Sequence, residues 1–132
     1  MKVFLDTNVW LSATVFPGLC KAILTECHRC DWLLTTPLLQ VEAHDVLVRK
    51  FPQLPHSLSW FDAIWAQARC VPDLAEPADD YDVRLVRTAS MAGAGVLVTG
   101  DQRVLTWGRD GDMQILSPRD AWTLLFAGKT SA

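Results

Sequence analysis

Val96-Leu97-Val98-Thr99-Gly100-Asp101 runs three aliphatic residues, two of them β-branched, into a threonine, a glycine and an acid. A continuous apolar run with no polar alternation suits a strand covered on both faces, as in the interior of a parallel sheet. Upstream, Leu85, Val86, Ala89 and Ala92 repeat at helical spacing and Gly93 closes the pattern. Downstream, 102–107 reads as a short helix. A buried strand between two helices is the unit of an α/β sheet.

The rest of the chain repeats that alternation. Val3-Phe4-Leu5 is a short buried strand ending at Asp6-Thr7-Asn8, and Pro17-Gly18 opens a helical pattern through Leu19, Ile23, Leu24 and Cys27. A second strand spans 32–36. Pro37 then starts a helix whose Leu38, Val41, Val46, Leu47 and Val48 form one broad face, with Glu42, Asp45 and Arg49 polar and Phe51-Pro52 as the stop. A further helix is expected over 57–68. Cys70-Val71-Pro72 reads as a weak strand at a sheet edge, because Pro72 lacks a donor. Gln114-Ile115-Leu116 is a last short strand, and Ser117-Pro118-Arg119-Asp120 caps a terminal helix through Trp122, Leu125 and Phe126. No repeat or linker interrupts the pattern, so the expectation is a single domain over 1–132, a three-layer α/β/α fold around a central, mainly parallel sheet.

Composition narrows the function classes. The 132 residues carry 12 Lys+Arg against 15 Asp+Glu, a formal charge of −3, which excludes a bulk polycation that coats nucleic acid. Half the residues are hydrophobic and 20% charged, which excludes a disordered chain. Asp6 breaks the opening apolar run before a secretory signal can form, and no window approaches a membrane span, so a soluble, cytoplasmic protein without membrane contact is expected. Cys20, Cys27, Cys30 and Cys70 are expected reduced, since a core this size needs no disulfide. Cys27-His28-Arg29-Cys30 lacks the second pair that a structural zinc site needs. Among the six tryptophans, Trp32 and Trp122 are read as core, while Trp60-Phe61 with Trp65 are read as an apolar stripe for a partner.

Ligands of an open α/β sheet gather outside the C-terminal ends of its strands. Asp6 follows the first strand and Asp101 the fourth, while Glu42 and Asp82 reach the same rim from helix starts. Four carboxylates are therefore expected around one pocket. Two carboxylates roughly 4 Å apart at an effective dielectric of about 20 repel by about 4 kcal/mol, so such a cluster holds protons or recruits a hard cation. Oxygen-only ligands favour Mg²⁺ or Mn²⁺, which on a phosphodiester would activate water and neutralise charge on the attacking and leaving oxygens. Each acid alone also has a structural reading: Asp6 and Asp101 as turn residues, Asp79 and Asp82 as helix-start acids, and Glu42 on a solvated helix face.

Val3-Phe4-Leu5-Asp6-Thr7-Asn8-Val9, the Pro37 to Glu42 spacing, Asp79-x-x-Asp82 and Leu97-Val98-Thr99-Gly100-Asp101, with Ile115-Leu116-Ser117-Pro118-Arg119 closing the chain, resemble the motifs of PIN-domain ribonucleases. They are most similar to those of the toxin halves of type II toxin–antitoxin pairs. The resemblance implies a Mg²⁺- or Mn²⁺-dependent endoribonuclease in which Asp6, Glu42, Asp82 and Asp101 form the catalytic metal site. Asp79 would be an auxiliary acid, and Asn8 and Thr99 polar supports. Close relatives often carry an extra acid where this chain has Val83. Arg49, Lys50, Arg84 and Arg103, together with Arg87 and Arg109, are the candidates to hold RNA backbone. In the toxin setting the resemblance also implies a homodimer and a small antitoxin partner. Two alternatives keep the fold: a housekeeping RNA-processing nuclease, and an inactive PIN-like protein- or RNA-binding module. A haloacid-dehalogenase-like phosphatase would need an acid where Asn8 stands.

Overall fold

In the computed structural model, which describes residues 1–74 and 80–127, the elements follow the chain as β1 (Val3–Leu5), α1 (Thr7–Val15), α2 (Leu19–Arg29), β2 (Leu33–Thr35), α3 (Pro37–Lys50), α4 (His56–Trp65), β3 (Arg69–Cys70), α5 (Tyr81–Met91), β4 (Val96–Val98), α6 (Gln102–Leu105), β5 (Arg109–Asp110), β6 (Met113–Leu116) and α7 (Pro118–Phe126). The sheet order is β3-β2-β1-β4-β6-β5. Every pairing is parallel except the β5–β6 hairpin. All residues of β1, β2 and β4 are buried, as the uninterrupted apolar runs require of strands covered on both faces. In register, Phe4 lies between Leu34 on one side and Leu97 on the other.

Right-handed crossovers divide the helices between the faces. From β1 to β2 to β3 the chain steps one way across the sheet, which puts α1 to α4 on one face. It then returns past β1 to β4 and β6, which puts α5 and α6 on the other. The contacts agree: α1 packs on α2, α3 and α4, α7 comes back against α2, and α5 lies along β5. The result is a three-layer α/β/α arrangement around a mostly parallel sheet, with β3 at an edge where Pro72 follows it.

The pattern of α1 did not announce a helix. Asp-Thr-Asn reads as a turn, yet Asp6 serves as the helix N-cap, its Oδ1 accepting from the Thr7 amide at 2.7 Å. The helix that follows buries Thr7, Val9, Trp10, Ala13 and Thr14, and a helix that buries hydroxyl residues together with apolar ones shows no clean stripe to recognise. β5 was also unforeseen, being a two-residue arm turned back through Gly111 at φ +59°.

Aromatic residues knit the helical layer. Trp10 is wholly buried and lies 5.2 Å from the Phe61 ring, and Trp32 stacks on Phe126 at 5.7 Å. The apolar stripe expected from Trp60, Phe61 and Trp65 is instead engaged within the fold. Phe61 is in the core, the Trp65 indole N–H donates to Thr35 Oγ1 at 2.8 Å, and Lys21 Nζ stands 4.5 Å over the Trp60 ring. The four cysteines are free thiols. No helix among the described residues is long and apolar enough to cross a membrane.

Candidate metal centre

The sheet reverses direction at β1, since β2 lies on one side of it and β4 on the other, and the crevice at their C-terminal ends is where such a fold presents a site. Asp6 leaves β1 there and Thr99 leaves β4. The Asp6 amide ties β1 to β4 by donating to the Val98 carbonyl at 2.9 Å, and the Thr99 amide ties β4 to β6 by donating to that of Leu116 at 3.0 Å.

Asp6 is only 5% exposed. Beyond the cap bond at Oδ1, its Oδ2 accepts from Thr99 Oγ1 at 2.8 Å and from Asn8 Nδ2 at 3.2 Å. Thr99 Oγ1 in turn accepts from the Asp101 amide at 3.0 Å, and Asn8 Oδ1 accepts from the Gly100 amide at 2.9 Å. Asn8 and Thr99 therefore hold the Asp6 carboxylate and the Thr99-Gly100-Asp101 turn as one network. Asp101 then caps α6 by accepting from the Arg103 amide at 2.9 Å.

α5 runs antiparallel to β4, so its N-terminus returns to the same rim. Asp80 is its N-cap, accepting from the amides of Asp82 and Val83, and Asp82 lies in the first turn. Asp79 lies outside the described residues. Glu42 comes from the second turn of α3, which starts at the C-terminal end of β2 behind the Thr36 cap. Tyr81 links α5 to α1, its hydroxyl pairing with Thr7 Oγ1 at 3.1 Å, and it stands within electrostatic reach of the Glu42 carboxylate on α3. Burial and that carboxylate keep the phenol protonated far above its ordinary range.

Electrostatics link the four acids across these elements. Burial raises the Asp6 carboxyl above the ordinary carboxylate range against the pull of its Thr99 and Thr7 bonds, and the charges of Asp82 and Glu42 add to the rise. Asp82 is raised too, first by burial and then by Asp101 and Asp80. Asp80 moves the opposite way because the Arg103 guanidinium grips it. The same guanidinium reaches Asp82 Oδ2 at 3.4 Å and lies 5.1 Å from the centre of the Trp107 ring.

The acids thus share one rim, but among the described residues no three Asp, Glu, His or Cys side chains form a ready coordination shell. The donor chemistry, all carboxylate and hydroxyl oxygen with mutual repulsion to relieve, fits a hard divalent cation. Asp6, Glu42, Asp82 and Asp101 are the residues that could hold one, with the Arg103 charge neutralising the Asp80 side.

Four of the cations read as candidates to hold RNA backbone are engaged within the fold or stand away from the rim. Arg49 and Lys50 end α3 about 10 Å beyond Glu42 along the helix axis, and Arg49 pairs with Asp45 at 3.1 Å. The Arg84 Nε donates to the Leu74 carbonyl at 2.9 Å, anchoring the chain before α5. Arg103 is a member of the acidic cluster. Sequence reasoning missed Tyr81, whose position between Asp80 and Asp82 in the helix start was the available signal, and it missed the Asp80–Arg103 pair, which no local spacing encodes. No protein-family model and no curated protein matches this chain in sequence.

Proposed function

We propose that this protein is a Mg²⁺- or Mn²⁺-dependent endoribonuclease of the PIN-domain kind, the toxin of a type II toxin–antitoxin pair acting in the cytoplasm. The observation that carries the reading is the Asp6 carboxylate: buried at the switch point of the sheet, hydrogen-bonded at both oxygens, and pressed by charges from α3 and α5. A fold that needed only a helix cap there would have no reason to bring two further acids toward it.

Asp6, Glu42, Asp82 and Asp101 would hold a divalent ion, whose chemistry would be to activate water and neutralise charge on the phosphate. The chain's own groups do the positioning. Thr99 and Asn8 fix the Asp6 carboxylate, Tyr81 is held near Glu42 by its bond to Thr7, and the Asp101 carboxylate is aimed by its bond to the Arg103 amide. The antitoxin and a homodimer belong to the same proposal.

The Arg103 clamp on Asp80 and Asp82 favours a second reading, a PIN-like binding module whose acids are neutralised from within. Cleavage separates the two. A mixed RNA panel incubated with Mg²⁺ or Mn²⁺ is expected to be cut by the wild type, spared when EDTA is added, and cut at least 100-fold more slowly by Asp6→Asn and Asp101→Asn. Cutting at equal rates by wild type and variants removes the nuclease reading, and no cutting by any of them transfers it to the binding module.

A further inference from the structure

Beside the carboxylate rim, α5 and the segment from α6 through β5 enclose a cavity of about 240 Å³ lined by Val83, Val86, Arg87, Trp107, Arg109 and Asp110. Val83, Val86 and Arg87 fall at i, i+3 and i+4 of α5, one face of the helix, and β5 packs across from them. Arg87 and Arg109 are exposed, and among the described residues neither guanidinium has a hydrogen-bond or ion-pair partner. Asp110 is the single carboxylate of the lining, so the cavity is locally positive in a chain of formal charge −3.

The cavity shares its supporting elements with the rim. Val83 follows Asp82 in the same helical turn, and the Trp107 ring that lines the cavity also carries the Arg103 guanidinium. Arg87 is about 7.5 Å along α5 from Asp82. An aromatic ring, an aliphatic floor and two unengaged guanidiniums are the components that hold a single-stranded nucleotide, the base by stacking and the phosphates by charge.

We propose that this cavity is a nucleotide subsite for single-stranded RNA, where Arg87 and Arg109 hold phosphates flanking the one being cut and Trp107 stacks on a base. The inference rests on the nuclease reading and extends it from the reacting phosphate to its neighbour. It also accounts for how a net acidic protein holds a polyanion beside carboxylates: the attraction is local and off to one side of them.

The test is the affinity of a fluorescein-labelled, mixed-sequence oligoribonucleotide, measured by anisotropy over a range of salt in the Asp6→Asn background so that the probe survives. Adding Arg87→Gln with Arg109→Gln is expected to weaken binding at least tenfold and to flatten the dependence of log affinity on log salt by about 0.7 per arginine. Trp107→Ala is expected to weaken binding roughly fivefold or more without changing that slope, and Trp107→Phe to restore most of the loss. A thermal melt of each variant establishes that it is folded, and the arginine pair, being exposed, carries the test if Trp107→Ala unfolds. Binding and slope unchanged in the arginine pair overturn the subsite while leaving the nuclease reading intact. An oligoribonucleotide that fails to bind even before these substitutions, with metal-dependent cleavage also absent, overturns both.

Discussion

Asp82 shows most directly what the acidic cluster costs the fold. Its carboxyl is raised, first by burial and then by Asp101 and Asp80, so the native state prefers it protonated more than the unfolded chain does. A group raised in this way contributes stability that is fully present below the unfolded pKa and is lost as pH rises through the folded one. Asp82→Asn, which removes the charge and keeps the shape, is therefore expected to raise the Tm at pH 7 by a few degrees. The gain should shrink to nothing as pH falls below the ordinary carboxylate range. A thermal melt series across pH measures it, and a Tm that falls at pH 7 would mean that the Arg103 contact at 3.4 Å outweighs the repulsion. Asp6→Asn is a closer balance, because the amide relieves charge but cannot accept from Thr7, Asn8 and Thr99 together. At this scale the sequence was informative wherever an acid follows a strand: Asp6 and Asp101 were legible from the apolar runs before them. The approach of Tyr81 to Glu42 was not, since it depends on how the starts of α3 and α5, on opposite faces of the sheet, converge at its rim.

The elements follow the same division. Buried strands and capped helices leave local marks, and the α3 start is an example: Thr36 is wholly buried, its Oγ1 accepts from the Leu39 amide at 3.3 Å, and Pro37 occupies the first helical turn. Because α3 carries Glu42, loosening its cap matters to the site as well as to stability. Thr36→Ala is expected to cost about 1 kcal/mol, or a Tm lower by about 3–5 °C, while Thr36→Ser keeps most of it; equal melting of all three proteins would show that the cap bond carries no weight. Helix α1 left no such mark. Its burial on nearly every side erases the polar–apolar contrast that periodicity needs, and its cap is the same Asp6 that the site uses. One residue thus does two jobs at the end of β1, and a turn reading accounts for neither the helix nor the carboxylate's burial.

For the whole molecule, topology rather than any single element makes the site. Only the reversal at β1 brings the end of β4 beside the end of β1, and the strand order that produces it is not written in local spacing. Parallel pairing and two covered faces were legible because the central strands are apolar throughout. The integrity of that core can be followed through Cys27, which is wholly buried on α2 and whose thiol burial pushes up to about 12. Alkylation by iodoacetamide is expected to reach exposed Cys70 in the native protein but Cys27 only at the rate of global unfolding, as read by mass spectrometry of timed samples. Rapid native labelling of Cys27 would place α2 in a separately opening unit.

The central claim is that acids from four elements act together as one cation site. Calorimetric titration with Mn²⁺, free of any assumption about the RNA target, tests it most directly across wild type, Asp6→Asn, Glu42→Gln, Asp82→Asn and Asp101→Asn, with Asp45→Asn, whose carboxylate pairs with Arg49 on α3, as the control. Binding by the wild type and the control, weakened at least tenfold in each of the four variants, is the result expected. No binding by the wild type, or affinities unchanged by the four substitutions, would contradict the claim.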